Sequence, residues 1–115
     1  MRRGDILLVN PEPSLGSEAN TARPAVLVSN DGVNAAAQRL DRGVVTVVPV
    51  TGNTRRVYPF QVLLRATDTG LRHDSKAQAE QVRSVAVGRL GRRVGRVPNS
   101  VLAELDDALR LHLML

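Results

Sequence analysis

One glutamate, one arginine and one threonine define the chemistry open to this chain. Gly16-Ser17-Glu18-Ala19-Asn20-Thr21-Ala22-Arg23-Pro24 is a polar loop. It leads into the apolar run Ala25-Val26-Leu27-Val28, which is followed by Ser29-Asn30-Asp31. A carboxylate and a guanidinium are thus delivered to the mouth of a buried strand. A second apolar run, Val48-Pro49-Val50-Thr51-Gly52-Asn53, ends in a hydroxyl. Carboxylate, guanidinium and hydroxyl held by a sheet could serve a phosphodiester. The guanidinium offers a planar fork of donors to phosphate oxygens and stabilises charge that builds on them. Arginine stays protonated, which argues against Arg23 as a free base. No other part of the sequence offers comparable chemistry.

Short strands must position these groups. Asp5 to Val9 is an apolar run that predicts a strand buried on both faces. Pro11, Pro13, Gly16 and the small polar residues through Ala22 break regular structure. A loop of that length is unusual in a compact domain and predicts a mobile functional segment. Ala25 to Ser29 predicts a second strand, and Ser29-Asn30-Asp31-Gly32 a turn. Asn34 to Arg39 predicts a helical turn or an excursion. Val44 to Val50, with five valines and a threonine, is the strongest strand signal, and Pro49 within it suggests an edge, bulge or strand end. Gln61 to Leu64 predicts a strand and Thr67-Asp68-Thr69-Gly70 a turn.

From Lys76 the chain alternates, with Lys76, Gln78 and Glu80 on one face and Ala77, Ala79 and Gln81 on the other. This predicts a strand with one wet face, continued by Val82 to Val87. Arg92 to Val97 predicts a last short strand. Val101, Leu102, Leu105, Ala108, Leu109, His112 and Leu113 then follow helical spacing. Pro98 suits the first turn of that helix, with Asn99 or Ser100 as N-cap. Leu111, Met114 and Leu115 widen the apolar face, which points to a contact with a partner subunit. Many short strands with Gly/Pro turns and one helix predict a single domain over 1–115, a small, strongly bent antiparallel sheet or barrel.

Composition narrows the function classes. Apolar residues make up 43% of the chain and aromatics 2%, so the core is built from Val, Leu, Ile and Ala. So few rings argue against an aromatic base-stacking platform, leaving phosphate and polar base-edge contacts. The formal charge is +5. Residues 98–115 hold one arginine against three acids, a net of −2, which leaves +7 on the remainder. A basic body favours a polyanion, although charge that serves only solubility fits equally. No cysteine is present, which excludes disulfides and thiolate metal sites. The acids are scattered without metal-ligand spacing, so neither a metal nor another cofactor is expected. No apolar run approaches the ~20 residues of a membrane span, and the start lacks a signal-peptide core, so a cytoplasmic protein is expected. A histidine-pair ribonuclease would need His73 and His112 together. His112 falls on the apolar face of the last helix, where packing is its expected role.

In order along the chain, Arg3-Gly4-Asp5-Ile6, Gly16-Ser17-Glu18, Arg23-Pro24-Ala25-Val26, Val48-Pro49-Val50-Thr51, Tyr58-Pro59-Phe60 and Asp74-Ser75 resemble the MazF/PemK family of toxin endoribonucleases. Members often carry an aromatic residue in the first strand, where this chain has Leu7-Leu8, a departure that touches packing more than chemistry. The resemblance implies an SH3-like barrel with a C-terminal helix, forming a two-fold dimer. It implies a metal-independent endoribonuclease that cuts single-stranded RNA, chiefly mRNA, leaving 2′,3′-cyclic phosphate and 5′-hydroxyl ends, and an antitoxin that blocks the site. Arg23 and Thr51 match the family's catalytic positions. Glu18 could orient Arg23, contact a base edge or accept the 2′-hydroxyl proton. Gly16, Ser17, Asn20, Ser29, Asn53, Phe60, Gln61, Ser75, Lys76, Gln78 and Glu80 are the candidates for RNA contact. For the strand from Ser75 to Glu80, an ordinary solvated face is the competing reading. Two other functions fit the same fold: a CcdB-like toxin that acts by binding gyrase, and a basic nucleic-acid-binding module without chemistry.

Overall fold

The computed structural model describes residues 1–11 and 22–115. Glu18, Gly16, Ser17 and Asn20, and most of the loop expected to be mobile, lie outside the described residues. The valine run forms the central strand, β3 (Val44–Thr51). Its alternating side chains supply two cores at once. β2 (Arg23–Leu27) pairs with it antiparallel, in the register Ala25↔Pro49, Val26↔Val48 and Leu27↔Val47. β1 (Asp5–Val9) pairs with β2, and β7 (Leu90–Arg96) pairs with β1 at the edge. On its other side β3 changes partner along its length. Val44 to Val47 pair with β6 (Arg83–Ala86), and Val50 and Thr51 pair with β5 (Ser75–Gln78). β4 (Gln61–Leu64) completes the seven-stranded antiparallel sheet beside β5. The sheet is bent like a barrel without closing.

Pro49 lies at the change of partner, between the stretch paired with β6 and the stretch paired with β5. A residue without an N–H costs least where no ladder bond is required, so a proline is tolerated inside the strongest strand.

Each face of the sheet carries its own helix. Ile6, Val26, Val48, Val50, Leu64 and Val97 pack with Leu105 and Ala108 of α3 (Asn99–Leu113). Leu7, Ala25, Leu27, Val45, Val47 and Val85 pack on the opposite face with Ala37 of α1 (Asp31–Leu40). The segment expected to be a helical turn or an excursion is therefore helical, and longer than expected, at ten residues. Asn30 caps it by accepting from the Val33 N–H at 2.8 Å, and three consecutive alanines favour it.

Four further expectations are corrected. The alternating strand from Lys76 is β5 only to Gln78. The 3₁₀ turn Ala79–Gln81 follows, and Lys76 is buried. The turn at Thr67 to Gly70 is a short helix, α2 (Ala66–Thr69), closed by Gly70 at φ +85°. Pro98, not Asn99 or Ser100, holds the cap position of α3, and no side chain caps that end. His112 is exposed, outside the packed stripe of α3. Leu111, Leu113, Met114 and Leu115 are exposed as well.

Candidate RNA-cleaving site

Strand register sets the site. The β2–β3 pairing ends at Ala25↔Pro49. Arg23 lies two residues from Ala25 and Thr51 two from Pro49, so side-chain alternation puts both on the face of that pair. On the other side of β3, Thr51 pairs directly with Lys76 of β5. Residues facing each other across an antiparallel pair share a face, with Cβ atoms roughly 5 Å apart. The row Arg23, Thr51 and Lys76 therefore shares one face of three neighbouring strands, with Thr51 and Lys76 as direct partners. Val50 and Ala77, their neighbours on β3 and β5, point the other way into the core with α3. The row is thus backed by packed apolar side chains.

Each member of the row is held differently. Arg23 is exposed, with its backbone fixed as extended by Pro24. Thr51 Oγ1 accepts the Asn53 N–H at 3.3 Å. Its own hydroxyl hydrogen is left free to donate outward. Asn53 Oδ1 in turn accepts from the Arg55 N–H at 3.2 Å. Lys76 is 8% exposed, and its ammonium donates to the Arg56 carbonyl at 2.6 Å. It thereby ties β5 to the loop between β3 and β4.

That loop carries the chain's two aromatic rings. Tyr58 and Phe60 stack with centroids 5.3 Å apart and planes 2° off parallel. The Arg56 guanidinium lies 5.5 Å from the Tyr58 centroid and the Lys76 ammonium 5.9 Å. Asn53, Arg55, Arg56, Tyr58 and Lys76 enclose a basic recess of about 450 Å³. Gln61 Oε1 accepts from the Tyr58 N–H at 3.2 Å, and Gln61 Nε2 donates to Glu80 Oε2 at 2.8 Å. The other Glu80 oxygen is buried without a hydrogen-bond partner among the described residues.

A second recess, of about 200 Å³, lies beside Arg23 on the face that carries α1. Val47, Pro49 and Val85 line its apolar floor, and Arg83 and Arg89 join Arg23 around it. Arg83 pairs with Val47 across β6–β3, and Arg89 Nε donates to the Asn10 carbonyl at 2.8 Å. Neither arginine stands out in the sequence. Arg83 interrupts no pattern, and its place beside Arg23 depends on pairing between segments distant in the chain.

The structure thus gathers Arg23, Thr51, Asn53, Phe60, Gln61, Lys76, Gln78 and Glu80 along neighbouring strands and one loop. Ser29 and Ser75 are not brought to the row. Ser29 Oγ donates to Asn34 Oδ1 at 2.5 Å and accepts from the Thr46 N–H at 3.0 Å, joining α1 to β3. Ser75 is buried on the other face of β5 and donates to the His73 carbonyl at 3.0 Å. Among the described residues, no cluster of acids and histidines could hold a metal ion, and no helix is long and apolar enough to cross a membrane.

Comparison with known proteins identifies the family and the fold. Residues 2–113 match the family of PemK-like, MazF-like toxins of type II toxin–antitoxin systems. The chain is 65% identical over 113 residues to the endoribonuclease MazF9 of Mycobacterium tuberculosis, covering 98% of this chain and 96% of that protein. Its fold superposes on a MazE–MazF complex from Deinococcus radiodurans with a TM-score of 0.77 at 26% identity, over 100% of this chain and 96% of that one. It also superposes on a mycobacterial endoribonuclease solved with its cognate antitoxin, with a TM-score of 0.73 at 25% identity, covering 100% and 96% of the two chains.

Proposed function

The chain belongs to the PemK-like, MazF-like toxin family of type II toxin–antitoxin systems, and from that premise we propose that it cuts single-stranded RNA, chiefly mRNA, at the Arg23–Thr51 row. The observation that carries this reading is the register of β2, β3 and β5, which lines a guanidinium, a hydroxyl and an ammonium along one face. In the reaction the ribose 2′-oxygen attacks phosphorus and the bond to the 5′-oxygen breaks. The 2′-hydroxyl loses its proton and the leaving oxygen gains one. The ends are a 2′,3′-cyclic phosphate and a 5′-hydroxyl, and no metal takes part. Arg23 holds the phosphate oxygens on which charge builds. Thr51, its oxygen already occupied by the Asn53 N–H, donates to a phosphate oxygen or relays a proton to the leaving 5′-oxygen. Glu18 is the candidate to orient Arg23, contact a base edge or take up the 2′-hydroxyl proton.

Asn53, Phe60, Gln61, Gln78 and Glu80 contact bases near the cut and supply sequence selectivity. Ser29 and Ser75 are assigned to the scaffold. The protein acts in the cytoplasm as a two-fold dimer. An acidic antitoxin that occupies the groove inhibits it by occlusion, drawn by the basic body. The test is incubation of the purified protein with a long RNA in EDTA, followed by chemical identification of the new ends. Discrete cuts bearing cyclic phosphates are expected. Intact RNA, or 3′-hydroxyl ends, would rule the mechanism out.

A further inference from the structure

A second basic groove lies on the opposite face of the same sheet. It encloses about 380 Å³. Arg72, Arg92 and Arg93 stand around it, and Leu8, Pro24 and Leu71 line its floor. Leu8 alternates with Leu7 and Val9, which pack toward α1, while Leu71 packs into the core with α3. Pro24 lines both this groove and the recess beside Arg23. The two basic surfaces therefore meet at the first turn of β2, one residue from the proposed catalytic arginine.

The groove depends on a specific backbone contact. Gly95 of β7 lies so close to the end of α2 that a Cβ there would fall 2.6 Å from the Thr69 carbonyl oxygen. Gly70, at φ +85°, turns the chain directly after that contact. Together they lay the segment that follows α2 against β7 and bring Arg72 beside Arg92. Arg72 and Arg92 are exposed and make no hydrogen bond or ion pair among the described residues. Arg3, Arg96 and Arg110, by contrast, are paired with Asp106, Asp5 and Asp107. Arg93 is 3.7 Å from Asp5 and is only partly committed.

We propose that this groove binds the phosphate backbone of the RNA outside the cleaved step. The proposal rests on the endoribonuclease reading and extends its footprint around the start of β2. A chain with a charge at every residue suits cations spaced along two faces that meet at one strand. An acidic peptide, charged only at some residues, suits it less.

The experiment compares wild type with the double variant Arg72→Gln/Arg92→Gln, and with Arg72→Lys/Arg92→Lys as the charge-keeping control. Binding is measured against salt on a short RNA spanning only the cut and on a long one, both 2′-O-methylated so that they cannot be cleaved. Each lost phosphate contact lowers the slope of log K against log salt by ~0.7 for single strands, so the glutamine pair should lower it by about 1.4 on the long RNA. The short RNA should show no change, the lysine pair should keep the wild-type slope, and kcat on cleavable RNA should stay the same. An unchanged slope and KM on long RNA, with wild type cutting normally, would overturn the proposal. So would loss of binding to an acidic antitoxin peptide with RNA binding intact, which would assign the groove to protein. Failure of wild type to cut the unmodified form of the long RNA would instead count against the endoribonuclease reading, while the slopes on the methylated RNAs still decide the groove.

Discussion

Arg23 and Thr51 are proposed to hold the same phosphate from adjacent strands, yet their substitutions should differ in kind. Arg23→Ala removes a fixed charge from an exposed side chain that no part of the core depends on. Its thermal midpoint should match wild type while cleavage falls on the order of 100-fold, the usual cost of one charge-stabilising donor. Arg23→Lys should recover little, because an ammonium cannot make the bidentate contact. Thr51 is half-buried and contributes one hydroxyl. Thr51→Val keeps its shape but loses both the bond to the Asn53 N–H and the outward donor. Thr51→Ser keeps both groups. Single-turnover rates should rank wild type first, then serine, then valine. Equal rates for serine and valine would make Thr51 a strand residue only. Both groups stand out in the sequence, because an Arg-Pro step entering an apolar run and a Thr ending a valine strand are local signals. Arg83 and Arg56 do not, since their places depend on which distant strands pair.

The strands and helices account for what could be read locally and what could not. β1, β3, β4, β7 and the stripe of α3 follow from apolar runs and spacing and occur within a residue or two of expectation. The stretch from Lys76 does not. Its alternation mimics a wet-faced strand, whereas contact with the loop between β3 and β4 buries Lys76 and the pairing ends at Gln78. Nothing local records that contact. Long-range contact also decides Asp5, which lies 5% exposed at the start of β1. Burial pushes its pKa up. The Arg2 N–H at 2.7 Å, Arg96 at 2.8 Å and Arg93 outweigh that and hold it below its ordinary value. The stabilisation is therefore complete above the unfolded-state pKa of about 4 and fades as pH falls toward the lower folded value. Asp5→Asn should cost on the order of 1–3 kcal/mol near neutral pH, since it leaves Arg96 facing a neutral amide. The gap between its urea midpoint and that of wild type should shrink below about pH 4. A gap that stays constant down to pH 2 would mean the ion pairs contribute nothing. Gly95→Ala should likewise destabilise, by about 1–3 kcal/mol, because the Thr69 carbonyl cannot yield as a flexible side chain would.

At the scale of the whole molecule, two cores share one sheet. Val47 and Val48, adjacent in β3, point to opposite cores. Neither core can be lost without exposing the back of the strands that form the other. The proposed site depends on this arrangement, because Val50 and Ala77 fix the strands from which Thr51 and Lys76 project. Unfolding should consequently be a single cooperative step, as is usual for domains of this size. Leu105 is the test residue, being fully buried where α3 meets the sheet. Leu105→Ala should cost roughly 2–5 kcal/mol, with the size set by how far the neighbouring valines close the space. The chain has one tyrosine and no tryptophan. Fluorescence therefore reports the loop at Tyr58, far along the chain from α3, while far-UV dichroism reports the helices. In a urea titration the two signals should move together in wild type and shift together in Leu105→Ala. If dichroism is lost first while Tyr58 keeps its native signal, α3 is an appendage and the sheet stands on its other core alone. If Tyr58 changes first, the loop beside the proposed site opens independently of the fold, and its shape before RNA arrives is not set by the cores behind it.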